Sequence, residues 1–208
     1  MLAPSDTIPS VRSERLTAGY QADRPVIRDL DLLITGPGMV RIDGSNGSGK
    51  STLVEVMSGY LRPLSGTMMI CDRPANLPET RAYRQVCRTA PALHPSLNVH
   101  DHIVIAARAH GRSFEELMRR VGLFGLAEYL DEPVYSLSSG MAKKLWYVLA
   151  TASDRLVTIL DEPFNAIDAE TIELMVQEIN RWSEDRLVLL VSHLPPHGLR
   201  IGRTVSLD

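Results

Sequence analysis

Gly44-Ser45-Asn46-Gly47-Ser48-Gly49-Lys50-Ser51 fills every fixed position of the pattern GxxxxGK(S/T). Its flanks give the pattern meaning. Met39 to Asp43 reads as a short strand, and Thr52 to Ser58 carries Leu53, Val54, Val56 and Met57 at helical spacing, with Gly59 placed to end the helix. Strand, glycine loop and helix in that order make a phosphate site. Glycines let the backbone wrap closely round phosphate oxygens, so that successive N–H groups and the helix N-terminus face the negative charge. In that arrangement Lys50 reaches the β and γ phosphates and the Ser51 hydroxyl ligates Mg²⁺, with Gly44 through Thr52 forming the nucleotide-binding set.

The 208 residues suffice for one large α/β domain, or a domain with a small inserted subdomain. Hydrophobic content of 44% and charged content of 23% are those of an ordinary soluble globular protein. A formal charge of -3 gives no electrostatic reason to expect a nucleic-acid partner. Cys71 and Cys87 are the only cysteines and form no CxxC pair, so neither a disulfide framework nor a zinc site is expected, and they read as reduced cytosolic thiols. Residues 1–10 hold two prolines and an aspartate with no apolar core, which argues against a secretory signal. Aliphatic runs such as Leu187 to Val191 have strand length and fall far below the ~18 residues that cross a bilayer, so work at a membrane calls for a separate spanning subunit.

In chain order, residues 1–12 read as a flexible lead-in and Ser13 to Thr17 as a strand. Turn residues from Gly19 to Pro25 follow, then extended segments at Leu32 to Thr35 and Met39 to Asp43 around Gly36-Pro37-Gly38. This front end predicts short antiparallel strands, continued by Thr67 to Cys71. Asn98 predicts the cap of a helix over Val99 to His110 ended by Gly111, and Ser113 with Glu116 makes a capping-box pair opening a helix that stops near Gly122. Residues 92–150 carry no strand signal, so a helical block is inserted between two strand-bearing halves. Lys143 and Lys144 read as a solvated face of it. Leu156 to Leu160 is a continuous apolar run, as in a strand buried on both faces of a parallel sheet, and it ends in Asp161-Glu162. Asp168 predicts the cap of a helix to about Trp182. Leu187 to Val191 repeats the buried-strand pattern before Ser192-His193, and Thr204 to Leu207 reads as an edge strand.

An apolar strand ending in an acid pair is the complement a phosphate loop needs. Asp161 can hold Mg²⁺ through its water shell, and Glu162 can take a proton from water attacking the γ phosphate. Tyr20, in a turn upstream of the loop, is either a stacking platform for a purine or an exposed turn tyrosine. His193 has a place after its strand from which an imidazole can hydrogen-bond a phosphate oxygen.

Taken together, Gly44 to Ser51, Leu137-Ser138-Ser139-Gly140-Met141, Leu160-Asp161-Glu162-Pro163 and Val191-Ser192-His193 stand in the order of the ATP-binding cassette of ABC transporters, and the resemblance spans essentially the whole chain. The LSGGQ-like segment makes it specific, because loops and acid-ended strands alone occur in many nucleotide hydrolases. The resemblance implies an α/β, P-loop NTPase fold of ABC type. That fold has a mostly parallel sheet core, an N-terminal antiparallel β subdomain and an inserted helical subdomain over roughly 92–150, all in one domain of residues 1–208. It implies ATP and Mg²⁺ as cofactors, Tyr20 stacked on adenine, and Ser138, Ser139 and Gly140 against ATP held by the opposite subunit. It also implies Asp168 in the D-loop and His193 as the switch histidine, with Glu162, His193 and Lys50 catalytic. The implied partners are a second cassette, identical or not, and integral membrane permease subunits, with the protein peripheral on the cytoplasmic face. Softer features, namely the short chain, the Gly-Ser-Asn-Gly start of the loop and Asp-Glu-Pro-Phe-x-Ala-Ile-Asp, are similar to the haem-exporter ATPases of cytochrome c maturation.

Two departures from the family pattern matter. The signature reads LSSGM, so Ser139 replaces a glycine and Met141 a glutamine, while Thr89 stands where the family places the Q-loop glutamine. The leading reading is the ATP-hydrolysing motor of a separate permease. A soluble ABC ATPase, and a regulatory cassette with little turnover, are the rival readings.

Overall fold

The computed structural model describes residues 7–208, and the first six positions of the expected lead-in lie outside the described residues. The remainder of that lead-in is not loose: β1 (Ser10–Ala18) begins at Ser10, with Val11 fully buried. β2 (Ile27–Thr35) pairs antiparallel with one edge of β1, and β4 (Ser65–Ile70) pairs with the other. The two-residue β5 (Arg73–Pro74) closes an antiparallel sheet of order β2-β1-β4-β5. The front end thus matches the antiparallel expectation except for one strand. β3 (Gly38–Asp43), expected among its neighbours, crosses instead into a second, parallel sheet, where it lies between β8 (Leu187–Val191) and β9 (Arg203–Ser206).

That parallel sheet runs β6-β7-β8-β3-β9, with β6 (Arg84–Cys87) and β7 (Val157–Asp161) completing it. Every residue of β7 and β8 is buried, as their unbroken apolar runs require. The register sets the function: Asp161 lies opposite Val191, and Val191 opposite Ile42. The residues just past these strands, Glu162, Ser192-His193 and Asp43-Gly44, therefore reach one edge of the sheet, the carboxyl edge where open α/β sheets bind ligands. β6 adds Arg88 and Thr89 to the same edge, since Cys87 pairs with Leu160.

Five helices cover the sheets: α1 (Lys50–Met57), α2 (Val99–His110), α3 (Phe114–Leu123), α4 (Ser139–Ala150) and α5 (Ala169–Trp182). Side-chain alternation divides the core in two. Val40, Ile42, Ile159, Leu189 and Val191 pack with α1 and the antiparallel sheet, whereas Met39, Leu160, Val188 and Leu190 pack with helices α2 to α5. Each buried aliphatic side chain contributes about 1.5–3 kcal/mol of transfer free energy. The capping expectations hold at Asn98, which accepts from the Asp101 amide at 2.7 Å, and at Gly111, whose φ of 65° suits a glycine. At α3 only half of the capping box forms: Ser113 accepts from the Glu116 amide at 3.1 Å, while the Glu116 carboxylate turns to Arg112 at 3.6 Å. The regular elements within residues 92–150 are helices joined by turns, with one isolated bridge, Asn98 to Pro133.

Candidate nucleotide site

The phosphate loop owes its shape to three glycines with positive φ: Gly44 (152°), Gly47 (89°) and Gly49 (99°). At Gly49 a β-carbon would come within 2.8 Å of Ile27, so the close approach as well as the left-handed backbone excludes a larger residue. α1 begins at Lys50 directly behind the loop, so its unpaired N–H groups and dipole point into the loop's mouth. Lys50 folds over the loop, its Nζ donating to the carbonyls of Gly44 (2.6 Å) and Ser45 (2.8 Å). From outside, the carboxylate of Asp208 accepts from the Ser45 amide at 2.9 Å and hydroxyl at 2.7 Å, and these bonds hold its carboxyl below the usual range. Sequence reasoning missed Asp208, for which no motif signals.

A cavity of about 220 Å³ opens over the loop, lined by Val26, Asn46, Gly47, Gly49, Lys50, Ser51, Thr52 and His193. The chain thus brings the switch-histidine candidate to the loop from a strand more than a hundred residues away. Glu162 stands beside it. Its Oε1 accepts from the His193 backbone N–H at 3.0 Å and lies 3.8 Å from the His193 Nε2. Glu162 has a φ of 48°, a left-handed conformation that costs a non-glycine residue of order 1–3 kcal/mol and places its carboxylate off the end of β7. Asp161, one residue earlier, is buried, and burial raises its carboxyl above the ordinary range, although hydrogen bonds from Thr89 and the charges of Lys50 and Arg88 pull it down.

Thr89 is exposed and donates its hydroxyl to the backbone carbonyl of Asp161 at 3.2 Å. Gln85, near it in sequence, is buried and used structurally: its amide nitrogen donates to Thr158 at 3.0 Å and its oxygen accepts from the Ser153 amide at 3.1 Å.

The remaining candidates stand away from the cavity. Tyr20 is 67% exposed in the turn after β1. Ser138 caps α4 by accepting from the Met141 amide at 3.2 Å, and Ser138 and Ser139 are exposed. Gly140 lies against the turn before α5, where a β-carbon would sit 2.7 Å from the Ala166 carbonyl oxygen. Asp168 caps α5 through the Thr171 amide (3.0 Å) and pairs with Lys144 at 2.5 Å, contacts that hold its carboxyl far below the usual range. Lys144, expected on a solvated face, is therefore an ion-pair partner linking α4 to the start of α5.

The residues fit a Mg²⁺-nucleotide. The Ser48 hydroxyl is buried inside the loop with no hydrogen-bond partner, and the amides, Lys50 and Ser51 form a donor set suited to phosphate oxygens. Mg²⁺ favours one or two protein oxygens completed by water and phosphate, and Ser51 and Asp161 match that donor set.

The ABC transporter family profile matches residues 27–165. This chain belongs to the ABC transporter family. It is 28% identical over 207 residues to the iron(3+)-hydroxamate import ATP-binding protein FhuC of Bacillus subtilis, covering 93% of this chain and 76% of that one. Against the taurine import ATP-binding protein TauB of Pseudomonas aeruginosa it is 34% identical, covering 82% of this chain and 66% of the other. It spans only 8% of the mouse retinal-specific phospholipid-transporting ATPase ABCA4, to which it is 28% identical. Among solved structures, the ATP-binding subunit of an ABC transporter superposes with a TM-score of 0.78 at 29% identity, over 88% of this chain and 79% of that one. With these the fold is established as that of the ABC-type P-loop ATPases, and the protein as an ATP-binding cassette of the transporter class.

Proposed function

We propose that this cassette hydrolyses Mg²⁺-ATP as a dimer and so drives a separate membrane permease. The placement of Glu162 against His193, which itself lines the cavity over the loop, carries the reading. Lys50 and the loop amides hold the β and γ phosphates, and Ser51 with Asp161 would hold Mg²⁺, which lends electrostatic stabilisation to the γ phosphoryl oxygens. With Oε1 of Glu162 engaged by the His193 amide, Oε2 is left to accept the proton of a water whose oxygen attacks the γ phosphorus. The bond to the β-phosphate oxygen then breaks, giving ADP and phosphate. His193 steadies the γ phosphate through its ring.

In this reading Ser138, Ser139 and Gly140, two of them exposed and none lining the cavity, contact nucleotide held by a second cassette, and Tyr20 stacks on the adenine from its exposed turn. Residues 92–150 act as the helical subdomain within the single cassette.

Among the described residues no helix is long and apolar enough to cross a membrane. A groove of about 680 Å³ supports an external partner. It runs between β6 and the helices, with a floor of Leu93, Ile105, Ala106, Trp146 and Leu149. Arg81, Arg84, Arg88 and Arg155 line it and no carboxylate does, which suits an amphipathic permease segment bearing acidic residues on a cytoplasmic face. The relatives named as import ATP-binding proteins favour this use over a soluble one. Thr89, committed to the Asp161 carbonyl, favours the low-turnover alternative. Steady-state ATPase measurements on Glu162→Gln decide between them: loss on the order of 10²-fold or more supports catalysis, whereas an unchanged slow rate identifies a binding module. Recovery from detergent extract with an integral membrane protein supports the permease, and recovery with ribosomes alone overturns it.

A further inference from the structure

Arg41 is the one cation in β3, and its side chain, 22% exposed, reaches along the parallel sheet towards the turn after β8. Its Nε donates to the carbonyl of Ser192 at 3.2 Å and its Nη2 to the carbonyl of His193 at 3.2 Å. The same Nη2 meets the carboxylate of Asp43 at 3.1 Å. Asp43 is the last residue before Gly44, so one guanidinium joins the stem of the phosphate loop to the two residues that present the His193 ring. A planar fork with fixed donors suits this task, because it can hold two successive carbonyls at once.

The neighbouring contacts complete the brace. The His193 N–H is held by Glu162 from the β7 side, and its C=O by Arg41 from the β3 side. The residue is thereby fixed between the two strands that flank β8, while its ring remains over half exposed and directed at the cavity. Arg41 does not line that cavity.

We propose that Arg41, itself held by Asp43, is a positioning residue that sets the place of His193 over the phosphate loop. The proposal rests on the reading of His193 as a residue facing the γ phosphate. Misplacement of a reacting group by about an ångström can cost on the order of a hundredfold in rate, and a braced backbone is the means of preventing it.

The test compares Arg41→Met, Arg41→Lys and His193→Ala in the full chain. Arg41→Met is expected to leave Mg²⁺-ATP affinity and KM within about twofold while kcat falls roughly tenfold or more, since the loop is intact and only orientation is lost. Arg41→Lys, with one compact donor group in place of a fork, is expected to recover part of that loss. In the His193→Ala background Arg41→Met should cost nothing further. In parallel, the ring resonances of His193, assigned by their absence from His193→Ala, should shift in both Arg41 variants while those of the other five histidines stay in place. An equal loss of kcat in the His193→Ala background, or unmoved His193 resonances in Arg41→Lys, overturns the proposal. Should the wild-type chain prove unable to hydrolyse ATP, the catalytic reading fails, and the resonances still decide whether Arg41 braces the turn.

Discussion

At the residue scale, Asp161 sets function against stability. Burial raises its carboxyl, which means that the fold disfavours the charged form that a metal requires. The sign follows directly. The penalty is fully present above the folded-state value and disappears below the unfolded value of about 3.9. Asp161→Asn is therefore expected to raise the melting temperature of the nucleotide-free protein at pH 7 while abolishing Mg²⁺-dependent hydrolysis. Differential scanning calorimetry with and without Mg²⁺-ATP checks both halves. The motif residues of this site were legible because phosphate chemistry restricts which residue types work at which spacing. Arg41 and Asp208 were not, because each acquires its role from residues distant in sequence.

Elements were legible where the chain writes its own punctuation. Asn98 and Gly111 bound α2, and Asp168 opens α5, since a cap is a local hydrogen bond between residues three apart. β6 escaped because Arg84-Gln85-Val86-Cys87 shows neither alternation nor an apolar run. Of its buried polar side chains, Gln85 is satisfied by Thr158 and Ser153, while Arg84 gives Nη2 to the Ser58 carbonyl and leaves Nη1 without a partner. β3 was legible as a strand but not in its sheet, because partner choice depends on β8, far along the chain.

The joint between α3 and α5 is a partly buried ion pair that sequence could not show. Arg120 places Nε and Nη2 on the two oxygens of Glu178 at 3.0 and 2.9 Å and gives Nη1 to the carbonyls of Val148 and Thr151. Burial works against the charge, yet Glu178 holds the guanidinium above its ordinary value. Arg120→Met should cost on the order of 1–3 kcal/mol in urea unfolding, because the partly buried Glu178 carboxylate keeps only the Tyr147 hydroxyl, and the double change with Glu178→Met should cost much less.

For the whole molecule, one contribution to stability near neutral pH comes from His110, the last residue of α2, which faces the segment after α4. Its Nδ1 lies 2.7 Å from the Ser153 hydroxyl. Burial, followed by the Arg155 charge, pushes the imidazole below its ordinary value, so the unfolded chain takes up a proton before the folded one does. The stability this provides is complete above pH ~6.5 and is lost as pH falls through the folded value. Denaturant midpoints are expected to drop between pH 7 and pH 5 in the wild type and to change less in His110→Gln.

Cys87 lies on β6 beside Leu160, fully enclosed, and burial pushes its thiol up to about 12. Only a thiolate that solvent can reach attacks a disulfide reagent, so its labelling reports how often the sheet parts beneath the acid pair. In a Cys71→Ser background, that clock should slow when nucleotide is added and run at the pace of global unfolding once the chain is saturated with ligand.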